Sequence, residues 1–182
     1  MKDHEARCIE CGRLVPPEQV VQVDGVCVCR HCLHGDVEPI LVYPIGYVHN
    51  DLDRGDGGLR TVGKSQVSRI ELLPAMQRFM KGLEHEEYIT IIYCLHKAES
   101  IKTTFRRGWD GREVGIFASR SPDRVNPLAI TTVKLLRVEG TTLYVEGLDA
   151  INGSPVLDIK MGGESVTPRD RDAAQQARAQ GR

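Results

Sequence analysis

Five of the six cysteines fall between residues 8 and 32, and their spacing suggests the first chemistry. Cys8-Ile9-Glu10-Cys11 and Cys29-Arg30-His31-Cys32 are two CxxC pairs separated by the seventeen residues 12–28. Each pair sets two thiolates on one tight turn. Two such turns facing each other supply four sulfur ligands to a tetrahedral zinc ion, at about 2.3 Å each. A site closed by four cysteines is structural, because no coordination position is left for substrate. The rival readings are a disulfide, which a reducing compartment disfavours, and a redox CxxC, which needs a βαβ context that this stretch lacks. Cys27 is the spare thiol; a register using it in place of Cys29 would break the CxxC spacing. His31 and His34 read as bystanders. The ligand set expected is therefore Cys8, Cys11, Cys29 and Cys32 around structural zinc.

Two further segments are dense in polar groups. In Gly115–Ala129 a strand runs into a loop that holds Arg120, Arg124 and Asn126. Ser121-Pro122 and Asn126-Pro127 stiffen that loop, since proline fixes its own φ and restrains its predecessor. Two guanidiniums and an amide on a rigid loop could clamp an anion or a carboxylate; a charged surface turn is the equal alternative. In Gly147–Lys160, Asn152-Gly153-Ser154-Pro155 is a tight turn whose glycine permits close approach of a ligand. Asp158 and Lys160 share a strand face and either pair with each other or serve a site. His96-Lys97 ends an apolar strand, a common place for a site, although a lone histidine there is more often a structural hydrogen bonder. Gly55-Asp56-Gly57-Gly58 lacks the spacing of a phosphate loop. No hydrolase motif occurs, and no residue stands out as a general base.

The elements that must position these groups are mostly strands. Val20–Val23 and Val26–Cys29 flank Asp24-Gly25, a strong hairpin signal, so residues 1–35 read as a zinc ribbon. Residues 36–43 form a linker and a first short strand, Ile40–Tyr43, that continues into 44–48. Strands are expected at Val67–Leu73, Tyr88–Leu95, Val114–Ala118, Ile130–Val138, Thr142–Glu146 and Val156–Lys160. One main helix is expected after Pro74, where Leu73, Met76, Phe79, Met80 and Leu83 recur at helical spacing. The fold class is mainly β, a closed or nearly closed sheet over 44–164, with a polar disordered tail at 165–182. The chain has 182 residues, a formal net charge of −1, 41% hydrophobic and 27% charged residues, an ordinary globular balance. Its pI of about 6.6 lies well below the value of about 9 that marks a generic basic nucleic-acid binder. Any nucleic-acid contact would come from a local patch. The longest apolar-rich run, Tyr88–Leu95, is far short of the roughly 20 residues that span a bilayer. With the charged start MKDHEARC, this predicts a cytoplasmic protein that makes no membrane contact.

Taken together, Pro44-Ile45-Gly46-Tyr47-Val48, Gly82-Leu83-Glu84, Leu95-His96, Gly115–Pro122, Asn126-Pro127 and Gly147-Leu148-Asp149 through Asp158-Ile159-Lys160 resemble the TsaA-like family, over roughly residues 44–161. That family includes tRNA methyltransferases that modify threonylcarbamoyl-adenosine. The resemblance implies a small β-barrel and S-adenosylmethionine as cofactor. It implies methylation of the N6 nitrogen of the modified adenosine beside the tRNA anticodon, and a homodimer. By matching position, the cofactor would contact His96, Lys97, Arg120, Ile130 and the turn Asn152, Gly153, Ser154, Pro155. Arg124, Asn126, Arg106 and Arg107 fall on the RNA side. Departures from the family pattern are Arg124-Val125-Asn126-Pro127-Leu128-Ala129 for Arg-Pro-Asn-Pro-Ile-Gly, and Asn152-Gly153-Ser154-Pro155 for Asp-Gly-Thr-Pro. A Pro-Arg-Gln motif has no match in 49–66, and the zinc ribbon is an addition. The rivals are a same-fold methyltransferase acting on a small molecule or protein, and a non-enzymatic cofactor-sensing or partner-binding module.

Overall fold

The computed structural model describes residues 5–53 and 66–162. In chain order it forms β1 (Ala6–Arg7), β2 (Leu14–Val15), β3 (Val20–Val23), β4 (Val26–Cys29), α1 (Arg30–His34), β5 (Gly46–His49), β6 (Val67–Leu72), β7 (Tyr88–Cys94), β8 (Thr104–Arg106), β9 (Glu113–Gly115), β10 (Leu128–Glu139), β11 (Thr142–Glu146) and β12 (Pro155–Met161). One compact unit comprises Met1–Tyr43 with Tyr93–Ala129, and a second comprises Pro44–Ile92 with Ile130–Arg182. The Gly/Asp-rich stretch beyond Asp53 and the polar tail from Ser165 lie outside the described residues.

Strands β10, β11, β6, β5, β12 and β7 close into a six-stranded barrel in that order. The alternation of each strand explains the closure. In β6, Ser68, Ile70 and Leu72 point inward while Val67, Arg69 and Glu71 face out, as the two-residue strand period requires. Ile70 is registered against Val48 of β5 and Leu143 of β11, and all three are fully buried. Ile89, Ile91, Val145 and Val156 complete this interior. Each such side chain contributes about 1.5–3 kcal/mol by leaving water. Gly46 is required where β5 meets β6. A Cβ there would lie 2.5 Å from the Glu71 carbonyl oxygen and 2.8 Å from the Leu72 Cα.

The other unit is built on hairpins. β3 and β4 pair from Val20↔Cys29 to Val23↔Val26. The connecting Asp24 and Gly25 have φ of 48° and 84°, the left-handed pair that a tight two-residue hairpin turn demands. β8 and β9 form a second hairpin, Thr104↔Gly115 to Arg106↔Glu113.

Three elements differ from expectation. The helix after Pro74 is two 3₁₀ turns, Pro74–Phe79 and Leu83–His85, with Gly82 between them at φ 85°. The left-handed glycine interrupts any continuous helix, and apolar residues three apart suit a 3₁₀ turn as well as an α-helix. Of the five apolar residues of that pattern only Met80 is buried, and Phe79 is 74% exposed. Ile40–Tyr43 lies outside any strand and is exposed; Pro44 ends it without a donor. The strand expected at Val114–Ala118 is β9 followed by a 3₁₀ turn at Ile116–Ala118.

Candidate functional site

The four sulfurs of Cys8, Cys11, Cys29 and Cys32 all lie within 4.8 Å of one another. Cys8 and Cys32 sulfurs are 3.9 Å apart, as are those of Cys11 and Cys29. A tetrahedral zinc with bonds of about 2.3 Å requires sulfurs roughly 3.8 Å apart, so the donor set fits that ion. The knuckles are shaped for thiolates. The Cys29 backbone N–H donates to Cys8 Sγ at 3.3 Å, and the Cys32 N–H to Cys29 Sγ at 3.4 Å. The second contact also caps α1, with Cys29 at the N-cap position.

Local charge separates the thiols. Arg13 Nε donates to Cys11 Sγ at 3.4 Å, and this contact brings the Cys11 pKa down to about 6. Backbone hydrogen bonds at Cys11 and then Cys29 hold Cys8 below the ordinary thiol value. Cys32 is pushed up to about 12, first by its hydrogen bond with Cys29 and then by burial. Cys27 stands outside the cluster; its sulfur accepts from Gln22 Nε2 at 3.2 Å. The sulfurs brought together therefore include Cys29 and not Cys27. His31 pairs instead with Asp36 at 3.2 Å.

The tip of the cysteine hairpin is bound to residues 101–103. Val23 forms a parallel bridge with Ile101. The Ile101 N–H donates to the Gln22 carbonyl at 2.8 Å, and the Asp24 N–H to the Ile101 carbonyl at 2.9 Å. The Asp24 carboxylate accepts from the Thr103 N–H at 3.2 and 3.3 Å and from the Thr103 hydroxyl. Nothing in the spacing of the cysteines indicated this attachment, because it joins segments far apart in sequence.

The same unit carries His96, Lys97, Arg106, Arg107, Arg120, Arg124 and Asn126. His96 and Lys97 are exposed on the turn after β7, where the Ala98 N–H returns to the Leu95 carbonyl at 3.0 Å. Arg120 is exposed, and its guanidinium makes no hydrogen bond or ion pair to another described residue. Arg124 is half-buried, and its Nη2 donates to the carbonyls of Ile116 at 3.2 Å and Ser119 at 3.1 Å. It pins the loop that presents Arg120. Ser119 tightens the same loop, donating its hydroxyl to the Ile116 carbonyl and accepting from the Ser121 N–H. Asn126 is exposed beside Pro127.

Ile130 and Asn152–Pro155 belong to the barrel unit. Ile130 is 64% exposed on β10. The turn at 152–155 is rigid. The Asn152 N–H donates to the Leu52 carbonyl and the Gly153 N–H to the Val48 carbonyl, both at 2.8 Å. Asn152 Oδ1 accepts from the Asn50 N–H at 3.3 Å, and Asn50 Nδ2 donates to Ser68 Oγ and the Ala150 carbonyl. Asn152 lines an open cavity of about 400 Å³ together with His49, Asn50, Asp51, Val67, Arg69 and Tyr144. Sequence reasoning missed the other six, because only the barrel register brings His49, Arg69 and Tyr144 side by side. Ser154 is fully buried, and its hydroxyl has no hydrogen-bond partner among the described residues. Asp158 and Lys160 pair with each other at 2.7 Å.

The profile of the tRNA-methyltransferase O N-terminal domain matches residues 60–162. A probable S-adenosyl-L-methionine-binding protein of Methanothermobacter thermautotrophicus is 37% identical over 129 residues, covering 70% of this chain and 93% of that protein. One of the same description from Archaeoglobus fulgidus is 40% identical over 95 residues, 52% of this chain and 26% of that protein. The human tRNA (adenine(37)-N6)-methyltransferase is 32% identical over 130 residues, 66% of this chain and 30% of the human protein. This chain thus spans less than a third of the longer relatives it matches. The crystal structure of TrmO from Pseudomonas aeruginosa superposes with a TM-score of 0.56 at 25% identity, covering 72% of this chain and 60% of that one. The match covers more than half of the chain and takes in five of the six barrel strands: the chain belongs to the family of the tRNA-methyltransferase O N-terminal domain.

Proposed function

We propose that this protein is an S-adenosylmethionine-dependent methyltransferase that modifies the N6 nitrogen of threonylcarbamoyl-adenosine beside the tRNA anticodon, and that zinc holds its N-terminal ribbon. The observation that carries this reading is the family match over residues 60–162, which takes in five of the six barrel strands and both polar loops. The residues present suit the cofactor. Arg120 is an exposed guanidinium with no partner among the described residues, the form a carboxylate clamp takes. The turn at 152–155 is held rigid by main-chain hydrogen bonds, and its Asn152 lines a cavity.

When bound, S-adenosylmethionine supplies an electrophilic methyl group on a sulfonium. The chain's own task is placement, since such a displacement needs donor and nitrogen in line at about 3–3.5 Å. In this reading His96, Lys97, Arg120, Ile130 and Asn152–Pro155 hold the cofactor, Arg124 acts by holding the Arg120 loop, and Arg106, Arg107 and Asn126 face the RNA. The reading includes a cytoplasmic homodimer, testable by mass in solution; no helix among the described residues is long and apolar enough to cross a membrane.

Isothermal titration with S-adenosylmethionine and S-adenosylhomocysteine tests the cofactor, with binding expected near the micromolar range, about −8 kcal/mol. Transfer of labelled methyl to tRNA carrying the modified adenosine tests the reaction. No heat of binding to either compound would overturn the cofactor assignment and the reaction with it. One observation favours a second reading, a cofactor-binding module without turnover: the relative matched over nearly its whole length is described as a binding protein. Tight binding with no transfer to any tRNA would establish that alternative.

A further inference from the structure

The hairpin of β8 and β9 carries the chain's only tryptophan at its tip. Trp109 is 65% exposed, although indole is among the side chains that gain most from burial. The tip that presents it is nevertheless ordered. The Arg107 N–H donates to the Arg112 carbonyl and the Gly111 N–H to the Arg107 carbonyl, each at 2.9 Å. Gly111 takes φ 66° to close the turn, and Asp110 Oδ1 accepts from the Arg112 N–H at 3.1 Å. The Arg107 guanidinium lies 5.2 Å from the indole centroid and is itself held by Asp110 at 3.4 Å. The ring is thus propped by a cation that is already neutralised.

Around it the charge is unbalanced. Lys102, Arg106, Arg107 and Arg112 stand against Asp110 and Glu113, in a chain whose overall formal charge is −1. Arg106 and Arg112 are exposed. Arg106 Nη1 reaches the Gly111 carbonyl at 3.3 Å, and the Arg112 guanidinium makes no ion pair to another described residue. An exposed, braced indole flanked by exposed cations has the composition of a stacking platform for an unpaired nucleobase, with phosphates on either side. The excess of four cations over two carboxylates favours a polyanion as the partner.

We infer that the 104–115 hairpin binds single-stranded RNA, with one unpaired base stacking on Trp109 and the adjoining phosphates contacting Arg106 and Arg112. The inference rests on the tRNA reading above and names the loop, not the paired stem, as what the hairpin recognises. Stacking is selective for unpaired bases, because a base inside a duplex has no free face.

Trp109 is its own reporter, since no other tryptophan contributes to the emission. The full protein would be titrated with a synthetic RNA stem-loop and with the fully paired duplex of the same stem, following tryptophan fluorescence and, separately, filter retention. The stem-loop is expected to quench the emission and the duplex to leave it nearly unchanged. Trp109→Ala is expected to weaken stem-loop binding roughly ten- to hundredfold, the usual effect of removing one stacked base, and Trp109→Phe to keep most of the affinity. Retention of the stem-loop with no quenching, and with equal affinity in Trp109→Ala, would overturn the hairpin assignment while leaving the tRNA reading standing. Failure to retain any RNA would overturn both.

Discussion

At the scale of single residues the cysteines divide sharply by environment. Cys11 lies against Arg13 with a pKa of about 6, and Cys32 faces a neighbouring sulfur with one of about 12. Zinc takes thiolates, so binding must displace the protons that thiols such as Cys32 still carry at neutral pH. Zinc affinity should therefore rise with pH, and protons should be released on uptake. Competition with a chromophoric chelator at two pH values measures this, and an affinity independent of pH would contradict it. Cys8→Ser and Cys32→Ser should each lose the bound metal, whereas Cys27→Ser should keep it, because Cys27 sits on Gln22 outside the cluster. Elemental analysis of the three purified variants decides the point. Arg120 supports a second residue-scale prediction. With a side chain that meets no described partner, Arg120→Ala should leave stability almost unchanged and weaken S-adenosylmethionine binding by about 1.5–3 kcal/mol, the worth of a charge-assisted hydrogen bond. Equal calorimetric affinities would remove it from the cofactor site.

At the scale of elements, the cysteine hairpin is bound through its turn to the segment that leads into β8. The Asp24 carboxylate is held below the usual carboxylate range, chiefly by the Thr103 hydroxyl and then by its backbone N–H. A depressed folded-state pKa means that this contact stabilises above the unfolded value of about 3.9 and is lost as pH falls through the lower folded value. Asp24→Asn keeps the left-handed turn, which Asn tolerates, but removes the charge. It should be less stable than the parent at neutral pH, and the two should converge in acid. Thermal melts across that range read the difference, and a gap unchanged down to low pH would contradict the tether. The contrast between hairpin and tether shows what was legible in the sequence. CxxC spacing, Asp24-Gly25 and the alternating barrel strands are local patterns, and each appears where it was expected. The bridge from Val23 to Ile101, the β8–β9 hairpin and the grouping of His49, Arg69 and Tyr144 depend on tertiary register. The apolar repeat of Leu73–Leu83 was ambiguous for a related reason, since residue spacing alone does not separate a 3₁₀ turn from an α-helix. For the candidate site residues, the placement of His96, Lys97 and Asn152–Pro155 on turns could be read from sequence. The role of Arg124 as a brace for the Arg120 loop could not, because its partners are main-chain carbonyls.

At the scale of the whole molecule, the charge balance limits how this protein can hold RNA. With a formal net charge of −1, no long-range attraction draws a polyanion in, and electrostatic steering is confined to local groups. Each phosphate neutralised releases counterions, so the logarithm of affinity falls with the logarithm of salt by about 0.7 to 0.9 per contact. The exposed cations Arg106 and Arg112, with Lys102 beside the hairpin, amount to about two or three contacts. The slope for a tRNA stem-loop should then lie between roughly −1.5 and −3, shallower than for a protein that coats a duplex. Affinity would rest in larger part on stacking and on the modified base itself, both of which persist in salt. Filter retention over a salt series gives the slope directly. A slope near zero would mean that these arginines meet no phosphate, and a slope steeper than about −6 would require cations beyond those of the hairpin. In either case the RNA-facing assignment of Arg106 and Arg112 would have to be abandoned or enlarged, independently of whether S-adenosylmethionine binds.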